Sequence, residues 1–141
     1  MTKARESRGI GAKRGTDVQK IRVLIVDDCS VARDGIRSIL KACPDIEVVG
    51  EAANGLEAIA QAEHLQPAVV LMDVQTPEMD GIEAIGPIKQ RMPEIKILVL
   101  TVHSSYLGGA LAAGADGCLM KDCTRQELVQ GIRLLGGPAR S

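Results

Sequence analysis

Residues 68–72, Ala-Val-Val-Leu-Met, form an unbroken apolar run that ends abruptly in a carboxylate, Asp73. Turn-forming residues follow at once: Thr76, Pro77, Asp80 and Gly81. The run lacks polar alternation and contains β-branched side chains, so it reads as a short strand buried on both faces. Such a strand belongs to a parallel sheet with helices on either side. Open sheets of that kind place ligands at the carboxyl ends of their strands, which is where Asp73 falls. An acid there is badly solvated unless something pairs with it.

The rest of the chain repeats the pattern. Ile21 to Val26 is a second apolar run, and it stops at Asp27-Asp28. Ile46, Val48 and Val49 mark a strand within 45–52. Ile95 to Leu100 is a fourth, ending at Thr101, and Asp116 to Met120 a fifth, ending at Lys121. Helical periodicity fills the gaps. Ser30 is expected to cap the first helix, with Val31, Ile36, Ile39 and Leu40 on its apolar stripe. Asn54 and Glu57 start a second, with Leu56, Ile59 and Ala60 expected to face inward. The third, near Ile82 to Met92, contains Gly86-Pro87, and a proline there is expected to kink or shorten it. The fourth, over 104–113, is weakened by Gly108 and Gly109. Thr124 and Glu127 cap the last, whose stripe is Leu128, Val129, Ile132 and Leu135.

Five alternating strand–helix pairs imply an α/β fold: a parallel five-stranded sheet covered by helices on both faces. In a doubly wound sheet of order 2-1-3-4-5, strands one, three, four and five are contiguous. Asp27, Asp28, Asp73, Thr101 and Lys121 then converge on one cleft.

Composition narrows the classes. The 141 residues suit one domain, expected over 20–137, with a basic leader at 1–19 and a tail at 138–141. Residues 1–20 carry six Lys or Arg against two acids, a net +4 in a chain whose formal charge is −1. The leader reads as solvated and disordered rather than as a nucleic-acid arm. With one Tyr and no Phe or Trp, the core must be aliphatic and stacking platforms for single-stranded nucleic acid are missing. Four cysteines show no CxxC pair and no zinc spacing, so reduced thiols and a cytoplasmic location are expected. Cys29 is expected to be a small buried or half-buried thiol. There is no apolar signal segment and no span long enough for a bilayer, so no membrane partner is expected.

Three carboxylates in one cleft repel each other, and a shared proton or a divalent cation relieves this. Oxygen ligands on loops suit Mg²⁺. Lys121 offers a point charge to a phosphoryl oxygen and Thr101 a hydroxyl donor, which leaves Asp73 as a nucleophile able to form an aspartyl phosphate.

At this point the chain resembles the receiver domains of two-component response regulators. The matching pieces are Val-Leu-Ile-Val-Asp27-Asp28, Leu-Met-Asp73-Val-x-x-Pro77-x-Met-Asp80-Gly81, Leu100-Thr101, Ala113-Gly-Ala-Asp-Gly117 and Lys121-Asp122, in order between about Lys20 and Leu135. Val-Val-Gly50-Glu-Ala-Ala-Asn-Gly55 and His103 look like the LuxR-type, NarL-like subfamily. The resemblance implies a flavodoxin-like (βα)5 three-layer sandwich. It implies that Asp73 accepts a phosphoryl group from a sensor histidine kinase or phosphotransfer protein. Asp28, Asp73 and the backbone carbonyl of Gln75 would ligate Mg²⁺, with Asp27 acting mostly through water. Lys121 and Thr101 would contact the phosphoryl group. Gln75 and His103 match the positions thought to tune dephosphorylation. Such a domain is a phosphoacceptor switch rather than a conventional enzyme, and it implies a homodimer as a further partner.

The chain departs from the family at Cys118, where the family usually has Tyr or Phe, so the ring movement paired with Thr101 in switching has no ring. LuxR-type relatives normally continue into a DNA-binding domain, and none is read before Ser141, so this chain itself is expected to make no nucleic-acid contact. The alternative reading is a pseudo-receiver, a binding module that works without phosphorylation. A dehalogenase-like hydrolase wants an acid where Gln75 stands, and Asp27-Asp28 would repel the phosphate of a flavodoxin-like nucleotide binder.

Overall fold

The computed structural model describes residues 19–74, 80–102 and 107–137. Ten elements alternate: β1 (Ile21–Val26), α1 (Ser30–Lys41), β2 (Ile46–Ala52), α2 (Gly55–Leu65), β3 (Val69–Val74), α3 (Asp80–Arg91), β4 (Lys96–Thr101), α4 (Leu107–Ala113), β5 (Gly117–Met120) and α5 (Arg125–Gly136). The strands form one sheet of order β2-β1-β3-β4-β5, with every neighbouring pair parallel. This is the doubly wound, three-layer arrangement expected from the alternation.

Successive strand residues point to opposite faces, so each apolar run feeds two cores. On one face Val23, Ile25, Val69, Leu71, Leu98 and Leu100 pack against Ile36 and Leu40 of α1 and Leu128, Val129 and Ile132 of α5. On the other, Leu24, Val26, Val70, Met72, Ile97 and Val99 meet Ala58 and Ala62 of α2, Ile85 and Ile88 of α3, and Ala110 of α4. The layers are aliphatic throughout. Two glycines answer to geometry. Gly114 has a φ of 115°, which ends α4 in a conformation other residues rarely adopt. A Cβ on Gly136 would lie 2.5 Å from Val69 Cγ2, so the end of α5 approaches β3 too closely for a side chain.

Several local expectations are corrected. The cap of α1 is Cys29, not Ser30, and its side chain makes no capping bond. Sitting at that rim, Cys29 is exposed rather than buried. Val31 is exposed too, because the inward stripe of α1 is set by Ile36 and Leu40 farther along. On α2 the buried positions are Gly55, Ala58 and Ala62, which turns Leu56 and Ala60 toward solvent. Asn54 caps α2 through Glu57 N, while the Glu57 carboxylate reaches back to Ala53 N. Thr124 and Glu127 form the reciprocal capping box expected for α5. α3 is not shortened: it runs through Pro87 to Arg91. The carbonyl that Pro87 cannot bond belongs to exposed Glu83, where water can satisfy it. None of the four cysteines is joined in a disulfide. Among the described residues no helix is long and apolar enough to cross a membrane.

Candidate phosphoacceptor site

Each candidate side chain sits at the carboxyl edge of the sheet because its strand runs out there. Asp73 is the penultimate residue of β3 and pairs with Leu100, while Val74 pairs with Thr101, the last residue of β4. Asp27 follows β1 directly and its backbone N–H still bonds to Ala52 O. Lys121 follows β5, and its backbone N–H donates to Thr101 O at 2.8 Å. That last bond ties the lysine to the end of the neighbouring strand.

Asp27, Asp73 and Thr101 are the polar or charged residues buried in the described structure, and they lie on three adjacent strands. The Asp73 side chain has no exposed surface, and Lys121 Nζ stands 2.6 Å from its Oδ2. Beyond that ion pair, neither Asp73 oxygen nor Asp27 Oδ2 has a hydrogen-bond donor among the described residues. Only the other Asp27 oxygen is satisfied, by Cys29 N at 2.9 Å. The two carboxyl groups are close enough to be bridged by one proton. Burial first, and Asp27 second, push the Asp73 carboxyl up to about 7, against the opposing pull of Lys121.

The sequence anticipated three convergent carboxylates, and the structure brings two into contact. Asp28 is exposed on the turn beside them. Among the described residues no three His, Cys, Asp or Glu side chains are grouped to hold a metal ion. Gln75 and His103 lie outside the described residues, as do Pro77 and Tyr106. Cys118 is half-buried on the α2–α4 face of the sheet, where burial raises its thiol pKa. A groove between α1 and α5, lined by Ile36, Ile39, Leu119, Cys123 and Leu128, opens onto Asp73 and Lys121.

The donor set fits a hard divalent cation. Among the described residues Asp27 Oδ2 and Asp73 Oδ1 are buried without a donor, and Mg²⁺ takes carboxylate oxygens while keeping several waters. A full protein cage is therefore not required.

Residues 23–133 match the family model for the response regulator receiver domain. The chain belongs to that family. Over 115 residues it is 44% identical to the response regulator protein VraR of Staphylococcus aureus, a match covering 80% of this chain and 55% of that protein. The chain thus spans about half the length of that curated relative. Its fold superposes on the signal receiver domain of a NarL response regulator from Mycobacterium tuberculosis with a TM-score of 0.77 and 31% identity, over 85% of this chain and 99% of that one. A LuxR-family response regulator from an Aurantimonas species gives a TM-score of 0.76 at 36% identity, over 82% and 84% of the two chains. The receiver is thus of the LuxR/NarL type.

Two residues that support this site carry no motif. Arg33 of α1 reaches the acid turn, and Glu51 of β2 holds Arg33. The available signal was a charged residue inside β2, between Gly50 and Ala52, opposite arginines one helical turn apart at 33 and 37.

Proposed function

We propose that this receiver takes a phosphoryl group on Asp73 from a phosphohistidine-bearing kinase or phosphotransfer partner. An Asp73 carboxylate oxygen attacks phosphorus, the new P–O bond forms as the P–N bond breaks, and the imidazole leaves with a solvent proton. Lys121, already at the acceptor, holds a phosphoryl oxygen as charge builds. Thr101 donates its hydroxyl to another. Asp28, Asp73 and the Gln75 carbonyl would hold Mg²⁺, with Asp27 acting through water. The cation would neutralise the acid pair and the incoming phosphoryl oxygens. Gln75 and His103 would set how quickly water removes the group. The phosphorylated form would change its surface toward a partner, including a second copy of the chain.

One observation carries this reading: the Asp73 side chain is fully buried and, among the described residues, the Lys121 ammonium is the one group that meets its charge. A carboxylate kept only for structure would have found donors. The test is incubation with acetyl phosphate and Mg²⁺, followed by intact mass. One added phosphoryl group in the wild type and none in Asp73→Ala is expected. Labelling that persists in Asp73→Ala would contradict it.

A second reading has its own support. Cys118 is half-buried where the family resemblance leads one to expect a ring, and a binding module that acts without phosphorylation would need no ring movement. Partner binding unchanged between phosphorylated and unphosphorylated protein would favour it.

A further inference from the structure

The helix that follows the acid pair begins badly. Its cap, Cys29, contributes no side-chain bond, and its first turn contains no acid to meet the helix dipole. Yet the turn it anchors must present Asp27 inward and Asp28 outward. What holds that turn comes from one turn along the helix. Arg33 Nη1 donates to the backbone carbonyl of Asp27 at 2.5 Å. Its Nε donates at 2.8 Å to Oε1 of Glu51, on β2. Glu51 also takes Arg37 through its other oxygen, so it is paired from both sides. Arg37 and then Arg33 hold its carboxyl below the usual range.

We propose that Arg33 is a positioning residue for the cation site. It bridges the sheet and the Asp27 carbonyl, and so fixes how the Asp27-Asp28 turn offers its carboxylates. The inference rests on the phosphoacceptor reading above. The guanidinium suits the task because its planar fork spans two acceptors in fixed geometry, which an ammonium cannot do. Glu51 offsets much of its charge, so the arginine supplies geometry near a cation site without strong repulsion. The Asp27 side chain depends on the same turn through the Cys29 N bond to its Oδ1. Loss of Arg33 frees the carbonyl, the turn and the carboxylate together.

Arg37 is the internal control. It shares Glu51 but has no recorded bond to the acid turn. Calorimetric titration of the full chain with Mg²⁺ tests the proposal. Arg33→Ala is expected to raise the Mg²⁺ Kd by about tenfold or more, the usual range for losing a partner that orients a ligand. Arg37→Ala, with a similar loss of Glu51 pairing, is expected to stay within about twofold of wild type, outside that range. Saturating Mg²⁺ should restore labelling of Arg33→Ala by acetyl phosphate. Arg33→Lys, which keeps the charge but not the fork, should remain weak, and Arg33→Gln carries the same test if the alanine variant folds poorly. Wild-type affinity in Arg33→Ala and Arg33→Gln, or equal losses in Arg33→Ala and Arg37→Ala, would overturn the positioning role. Absence of Mg²⁺ binding by the wild-type chain would instead overturn the phosphoacceptor reading.

Discussion

The two edges of the sheet treat their acids in opposite ways. At the amino edge, Asp116 Oδ2 accepts from Ile97 N at 2.8 Å and from Lys89 Nζ at 3.0 Å. Lys89 is itself completed by the carbonyls of Pro93 and Ile95. Asp45 there is paired by both arms of Arg133, which hold its carboxyl below the usual range. At the carboxyl edge, Asp73 is more deeply buried than either and, among the described residues, has the Lys121 ammonium and nothing further. The same chain therefore gives its half-buried acids full sets of partners when folding is the only demand. Starvation at the carboxyl edge is what the proposed cation and phosphoryl group would relieve.

Substitutions at the two edges should separate these roles. The largest effect is expected from Asp73→Asn, which removes the acceptor and abolishes labelling. It should also change stability in a direction opposite to most core substitutions. An acid with a raised folded-state pKa favours folding while protonated. That contribution is whole below its ordinary value of 3.8 and is lost as pH rises through about 7. Metal-free wild type should therefore lose this contribution between about pH 4 and pH 7 and level off above, while Asp73→Asn shows no such loss, as read by urea midpoints. Mg²⁺ should recover the wild type and leave the variant unmoved.

A smaller effect is expected from Asp116→Ala. It strands Ile97 N and leaves Lys89 Nζ with the carbonyls of Pro93 and Ile95 alone, and should cost about 1–3 kcal/mol in urea unfolding. Mg²⁺ affinity should not change. A large loss of Mg²⁺ binding in this variant would break the contrast between the edges. The smallest effect belongs to Arg133→Ala, an exposed partner of Asp45, and it should fade in high salt.

The strands and their polar ends were legible because a doubly covered strand must be apolar and can end only where its burial ends. Asp73, Thr101 and Lys121 fell out of that rule, and the sheet order brings them together. Helix faces were less legible. Val31 and Leu56 are apolar yet exposed, since the buried stripe of α1 is set by Ile36 and Leu40 and that of α2 by Gly55, Ala58 and Ala62, a face Leu56 does not share. The side chain of Ser30 looked like a cap, but the helix begins with it, so the preceding Cys29 takes that position. Least legible were the bonds between distant residues. Neither Arg33 with Glu51 and Asp27, nor Lys89 with Asp116, follows a local period, and such bonds exist only once the sheet has formed.

A carboxyl-carbon NMR titration of Asp73, run with and without Mg²⁺, bears most directly on the starved acid pair. The arrangement predicts a midpoint near 7 without the cation and a marked drop when Mg²⁺ is added. An ordinary carboxylate midpoint in both conditions, unmoved by Mg²⁺, would contradict it.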